Sequence, residues 1–298
     1  MRFLVKTLLI LFFLNPLYSC KDKELRSEDF TTEFAFTAGI EGPAVNKNGD
    51  LFAVNFAKEG TIGKVNKAGE GEIFISLPEG SIGNGIRFDL DGNMFIADYL
   101  GHKVYRIKKD TKTPEVWAKD STMNQPNDLA IGRGGVIYLS DPNWADSTGK
   151  LWMVTSEREI LLIEEGMGTT NGIEVSPDNK TLYVNESVQR VVWKYDIQEN
   201  GKLSNKVKFI SFTDFGLDGM RCDKQGNLYL TRYDKGTIAI VSPEGKILKE
   251  VILKGKKPSN ITFGGEKGLN CYVTMADRGC FETFVALSPG SYYSKIHY

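Results

Sequence analysis

The sequence predicts an all-β protein, a six-bladed β-propeller with four-stranded antiparallel blades. A turn-plus-strand unit recurs six times at near-constant spacing. The units are rich in β-formers and hold no amphipathic helical stretch. Residues 32–298 supply 267 residues, enough for six blades of about 43.

Residues 1–19 read as a lipoprotein signal peptide and stand outside the fold. Arg2 and Lys6 form a basic start, and Leu8 to Leu14 is an apolar run. That run is far short of the roughly 20 residues that span a bilayer. Leu17-Tyr18-Ser19-Cys20 resembles the lipobox of bacterial lipoproteins, so Cys20 is the expected lipidation site. Residues 20–31, charged and polar without apolar periodicity, are expected to be a flexible tether. No Asp follows the Cys directly, which resembles an outer-membrane destination. The expectation is an exported protein, lipid-anchored to the outer membrane.

The six units follow in order. They are Asn48-Gly49-Asp50-Leu51-Phe52, Asp91-Gly92-Asn93-Met94-Phe95 and Gly134-Gly135-Val136-Ile137-Tyr138, then Asp178-Asn179-Lys180-Thr181-Leu182-Tyr183, Gln225-Gly226-Asn227-Leu228-Tyr229 and Lys267-Gly268-Leu269-Asn270-Cys271-Tyr272. Aligned on the second turn residue, the spacings are 43, 43, 44, 47 and 42. Each turn carries Gly or Asn where a hairpin needs a positive φ. Third strands such as Val191 to Tyr195, and a fourth at Glu115 to Ala118, complete the blade pattern. Glu33 to Thr37 is expected to serve as the outer strand of the last blade, closing the ring and removing free edges.

Eight residues before each turn marker stand Glu41, Asn84, Asn127, Asn171, Asp218 and Asn260. All six are carboxylates or carboxamides. In a propeller this register lies at the start of each innermost strand, so the six side chains ring one mouth of the central channel. Oxygen-only donors suit a hard cation, with Ca²⁺ expected ahead of Mg²⁺, Mn²⁺ or Zn²⁺. The next strand ends with Asn55, Asp98, Asp141, Glu186, Arg232 and Asp277, an expected rim over the cation. Arg232 would be its cationic member. Asn-Gly and Asp-Gly pairs are also ordinary turn chemistry; the shared offset favours the ring.

Composition closes off several classes. Lys and Arg number 37 against 38 Asp and Glu, giving no basic surface for nucleic acid. The two histidines, His102 and His297, lie outside the ring register, which excludes a His-rich zinc site. Four cysteines are too few for a disulfide framework. Cys222 reads as buried, and a Cys271–Cys280 bridge stays open. Trp117, Trp152 and Trp193 are expected in packing between blades.

Glu41-Gly42-Pro43, Gln125-Pro126-Asn127-Asp128, Thr170-Asn171-Gly172 before Ser176-Pro177-Asp178, and Leu217-Asp218-Gly219 resemble the motifs of the SMP-30/gluconolactonase/luciferin-regenerating-enzyme-like family. The resemblance spans essentially all of residues 32–298 and implies a divalent metal in the central channel and hydrolysis of sugar-acid lactones. It implies Glu41, Asn127, Asn171 and Asp218 as metal ligands. Asn84 and Asn260 then become channel or substrate residues, beside Asp98, Asp141 and Arg232 as substrate contacts. The expected chemistry is metal-assisted attack of water on a cyclic ester, with Asp218 as the base. Two alternatives are an aryl-ester or organophosphate hydrolase using the same site, and a non-catalytic binding module with a structural Ca²⁺. The expected partners are a small lactone or ester and, through Cys20, a membrane. A closed ring has no edge that demands a second copy, so a monomer is expected.

Overall fold

The computed structural model describes residues 24–297. The expected signal peptide and the lipidation of Cys20 lie outside the described residues.

Six antiparallel sheets surround an axis, one for each repeat. The innermost strands are Phe36–Val45, Gly83–Phe88, Leu129–Ile131, Thr170–Val175, Gly216–Cys222 and Pro258–Gly264. Each is followed by its turn and by strands that step outward by hairpins. Between neighbouring blades lies one apolar cluster, six in all. The core is therefore six seams and not one centre. Trp152 is buried in the seam between blades 2 and 3, with Trp117 against it, and Trp193 packs on the next seam. Each seam is fed by alternating residues of facing strands, as half-buried pleated surfaces require.

Ring closure differs from the sequence expectation. The outer strand of blade 6 is Glu28–Asp29, paired with Thr283 and Glu282, and not Glu33 to Thr37. Leu25–Arg26 adds a fifth, parallel strand to blade 5. The reason is distance. After closing blade 6 the chain must cross from the outer edge to the axis, three strand spacings or about 14 Å. Residues 30–35 make that crossing, and Phe36 already belongs to the inner strand of blade 1. Residues 25–31 thus belong to the folded unit, and the expected tether over 20–31 does not extend across them. Ser27 and Thr31 are both buried.

An ion cluster fastens this closing segment. Arg278 pairs with Asp29 at 2.8 Å, Glu33 at 2.7 Å and the fully buried Glu282 at 2.6 Å. Lys254 also pairs with Asp29, and Ser27 donates to Glu282.

Cys222, Cys271 and Cys280 are free, buried thiols. Cys271 pairs across the ladder with Phe284, and Cys280 with Met275. Four ladder steps, about 13 Å, separate the two sulfur-bearing positions. That exceeds any disulfide span and closes the question of a bridge.

Past blade 6 the chain returns beneath the ring. The Lys224 N–H donates to the Pro289 carbonyl at 2.8 Å, and a short helix, Ser291–His297, follows. The Tyr292 hydroxyl reaches the Asp89 carbonyl at 3.0 Å, so this segment runs from blade 5 to blade 2. It covers a cavity of about 500 Å³ at the end of the channel opposite the ring.

Candidate metal centre

The six register positions converge as expected, each at an inner strand. Five of those strands break their ladder there: at Glu41/Ala44, Gly83/Ile86, Thr170/Ile173, Leu217/Met220 and Pro258/Asn260. Asn127 sits just ahead of the sixth strand, with its N–H on the Ser140 carbonyl. A bulge re-aims a side chain that the regular pleat would send into a blade seam. Here the irregularities turn one polar residue per blade toward the axis.

Glycines let the ring close tightly. A Cβ on Gly42 would lie 2.0 Å from the Asn84 carbonyl, and one on Gly219 would lie 1.9 Å from the Asn260 side chain. Gly85 and Gly172 meet Asp128 and Asp218 in the same way, at 2.5 and 2.4 Å. The Asn-Gly and Asp-Gly pairs are thus points of blade-to-blade approach at the axis.

Glu41, Asn127 and Asn171 are buried, and Asp218 is partly open. Glu41 Oε2 accepts the Gly42 N–H at 2.5 Å and Asn260 Nδ2 at 2.9 Å. Glu41 Oε1, Asn127 Oδ1 and Asn171 Oδ1 have no hydrogen-bond partner among the described residues. Three buried acceptors with nothing to accept from are costly unless a ligand satisfies them. The carboxyls of Asp218 and Glu41 are within hydrogen-bonding reach of each other. Burial, then the neighbouring Glu41, pushes the Asp218 carboxyl well above its ordinary range. Burial and then Asp128 push Glu41 up to about 7. Two carboxylates that repel and three orphaned oxygens fit a hard divalent cation. Among the described residues no group of three or more His, Cys, Asp or Glu side chains converges. Carboxamides complete the donor set here.

Asn84 and Asn260 face other duties. Asn84 Nδ2 donates to the Asn127 carbonyl at 3.1 Å. Asn260 donates to Glu41 and to Asp128 Oδ2 (3.3 Å), and its Oδ1 accepts from Arg221 at 3.2 Å. It thereby ties the ring to a charged layer beneath, which the sequence reading missed. In that layer Asp128 pairs with Arg87 at 2.8 Å and Arg221 at 3.5 Å, and Arg87 approaches Glu174 at 3.7 Å. Burial alone would raise Asp128; the two guanidiniums hold it below its ordinary value. Burial raises Glu174 and brings Arg221 down to about 10. A signal was present: Arg87, Glu174 and Arg221 each lie three residues past a ring member.

The expected rim contacts are corrected. Asp98 is fully buried, accepts the N–H groups of Ile82 and Gly101, and faces Lys103 at 3.5 Å. Asp141 is fully buried under the N–H groups of Asn124, Gln125 and the Trp152 indole. Arg232 is 1% exposed, donates to the Asp214 carbonyl and carboxylate, and stacks 3.7 Å over Phe212. All three are buried and hold loops at the mouth, although Asp98 Oδ2 and Arg232 Nε have no hydrogen-bond partner among the described residues. Strand ends that carry charge are also where turns need their N–H groups capped, and that need prevails here.

A profile of the SMP-30/Gluconolactonase/LRE-like region matches residues 40–277. The gluconolactonase of Zymomonas mobilis is 28% identical over 272 residues, covering 79% of this chain and 76% of that protein. The diisopropyl-fluorophosphatase of Loligo vulgaris is 28% identical over 259 residues, covering 76% and 82%. A calcium-binding regucalcin from Agrobacterium tumefaciens superposes with a TM-score of 0.76 at 17% identity, covering 89% of this chain and 97% of that one, a likeness of fold. The match across all six blades, with the ring motifs inside it, makes this chain a member of the SMP-30/gluconolactonase/LRE-like family.

Proposed function

We propose that the protein is a divalent-cation-dependent lactonase acting on lactones of sugar acids. The observation that carries this is the set of buried, partnerless oxygens of Glu41, Asn127 and Asn171 beside Asp218. The gluconolactonase likeness supports the substrate class. Glu41, Asn127, Asn171 and Asp218 would hold the cation, with Ca²⁺ preferred over Mg²⁺, Mn²⁺ or Zn²⁺ for so flexible an oxygen set. When bound, the cation would supply charge stabilisation for the developing oxyanion. Asp218 is the carboxylate open to the mouth and takes the proton of the attacking water. Glu41, buried and fixed by Gly42 and Asn260, serves as ligand and not as base.

The test is proton release from glucono-δ-lactone by chelator-stripped protein with each metal restored. Turnover is expected with Ca²⁺, at background in Glu41→Gln, and reduced at least a hundredfold in metal-loaded Asp218→Asn. Near-wild-type rates in Asp218→Asn would remove it as the base. A folded, metal-binding protein inactive on every lactone and ester would favour the binding-module reading. The fluorophosphatase likeness puts an organophosphate and an aryl ester in the same panel. We also propose lipidation at Cys20 and anchoring to the outer membrane, read from the sequence; an intact-mass shift lost in Cys20→Ser tests it.

A further inference from the structure

With Arg232 buried, the next residue along its strand stands at the mouth. Tyr233 pairs with Gly216, two residues before Asp218, and its Cβ lies 3.8 Å from where a Gly216 Cβ would be. It is half-buried, and its hydroxyl has no hydrogen-bond partner among the described residues. Burial, then the carboxylates of Asp218, Asp234, Asp277 and Glu41, push the phenol up to about 12. The hydroxyl is thus a proton donor within electrostatic reach of both ring carboxylates.

The Lys257 ammonium lies 5.7 Å from the centre of the Tyr233 ring. Lys257 is exposed, three residues ahead of Asn260. Its backbone is fixed: Asp277 accepts the N–H groups of Lys256 and Lys257 at 2.7 and 3.2 Å, and the Lys257 carbonyl accepts from Ala276 at 2.9 Å. Neighbouring Lys235 and Lys254 are held by Glu250 and Asp29. Lys257 has no carboxylate within ion-pair distance among the described residues. A divalent cation would balance Glu41 and Asp218; Asp234 and Asp277 stay near the Tyr233 ring, but neither pairs with the Lys257 ammonium, which is left open to an anion of the substrate.

We infer that Tyr233 and Lys257 form a substrate-binding pair that selects lactones bearing an anionic group remote from the ester carbonyl. The ammonium takes the anion, and the phenol donates to an oxygen of the same molecule. This rests on the lactonase reading. Carboxylate, phosphate and sulfonate share the required chemistry.

A matched pair tests it: D-glucono-γ-lactone and D-glucaro-γ-lactone, which differ in a terminal hydroxymethyl against a terminal carboxylate. With Ca²⁺-loaded protein, kcat/KM should favour the glucaro compound by about tenfold, chiefly through KM. Lys257→Gln should erase that preference by lowering kcat/KM for the glucaro compound about tenfold, with a smaller loss on the glucono compound, and Lys257→Arg should keep it. Tyr233→Phe should lower kcat/KM about fivefold for both. A phosphogluconolactone arm ranks phosphate against carboxylate. Equal kcat/KM in the wild type, or a preference that survives Lys257→Gln, overturns the inference. If neither lactone turns over, calorimetry with D-glucarate and D-gluconate decides. Tighter glucarate binding that Lys257→Gln abolishes keeps the anion site while the lactonase reading falls; equal binding overturns the site as well.

Discussion

Gly42 shows how one residue sets the end of the channel where the polar ring lies. Its φ is +60°, its N–H holds Glu41 Oε2, and the Asn84 carbonyl occupies the space a side chain would need. Gly42→Ala is expected to destabilise the fold and abolish Ca²⁺ binding. Gly49 also has a positive φ, +83°, but nothing lies within 4 Å of its Cβ position. Gly49→Ala should therefore cost only backbone strain, about 1 kcal/mol, with normal binding by calorimetry. Glu41 makes a pH prediction. Its carboxyl moves from 4.5 to about 7 on folding, so the folded state holds its proton longer than the unfolded chain. The metal-free protein then loses stability as pH rises from about 4.5 to 7. Melting with chelator should show a lower Tm at pH 8 than at pH 5; added Ca²⁺ should reverse the order, because it competes with that proton. A metal-free Tm that rises over this interval would contradict the proton-holding pair. The ring residues were legible because each occupies the same offset in every repeat. The charged layer below was not, because the position three residues on reads Ala44, Arg87, Ala130, Glu174, Arg221 and Phe263. Charges there complement one another across the axis, and complementarity leaves no common letter to align.

At the level of elements, the inner strands do two jobs with one irregularity. Below the bulge they keep the pleat that feeds the seams; at the bulge they release a side chain to the axis. The alternating pattern after each turn revealed the strands, but nothing in it marks the bulges, which arise from packing six strands around one line. The closing strand was misplaced for a related reason. Glu28–Asp29 is two residues long and polar, without the alternation that marks a strand, and long-range ion pairs fix its partners. Arg278→Ala should leave Glu282 buried and short of its counter-charge. A loss of roughly 3 kcal/mol is expected, a Tm drop on the order of 6 °C, with the metal site intact. An unchanged Tm in that variant would mean that the ladder hydrogen bonds alone close the ring. Deleting residues 21–31 should do more damage than Arg278→Ala, since it also strips the outer strand from blade 6.

The whole molecule draws its stability from six seams, so a cation held by the proposed ligands would be an addition to a ring that already stands. Chelation is expected to abolish hydrolysis with little change in far-UV circular dichroism. Saturating Ca²⁺ at about a hundred times Kd should add roughly 2.7 kcal/mol. Collapse of the β signal on chelation would instead make the ion structural. The fold class was legible from spacing alone, because a blade is one repeat and the count of repeats fixes the ring. The crossing of the C-terminal segment beneath the channel was not, since Tyr292 meets blade 2 through a backbone carbonyl that any sequence would offer. The pairing of Glu28–Asp29 with Thr283 and Glu282 also sets an order in time. Synthesis delivers the closing strand first and its berth last, 255 residues later. Until then five blades stand as an arc with two raw edges, and Glu28–Asp29 must stay unpaired. So long a wait makes the final docking a late, slow, all-or-none event. In a nascent chain arrested before Cys280, the segment around Glu28–Asp29 should remain protease-sensitive, and become resistant only once blade 6 has emerged.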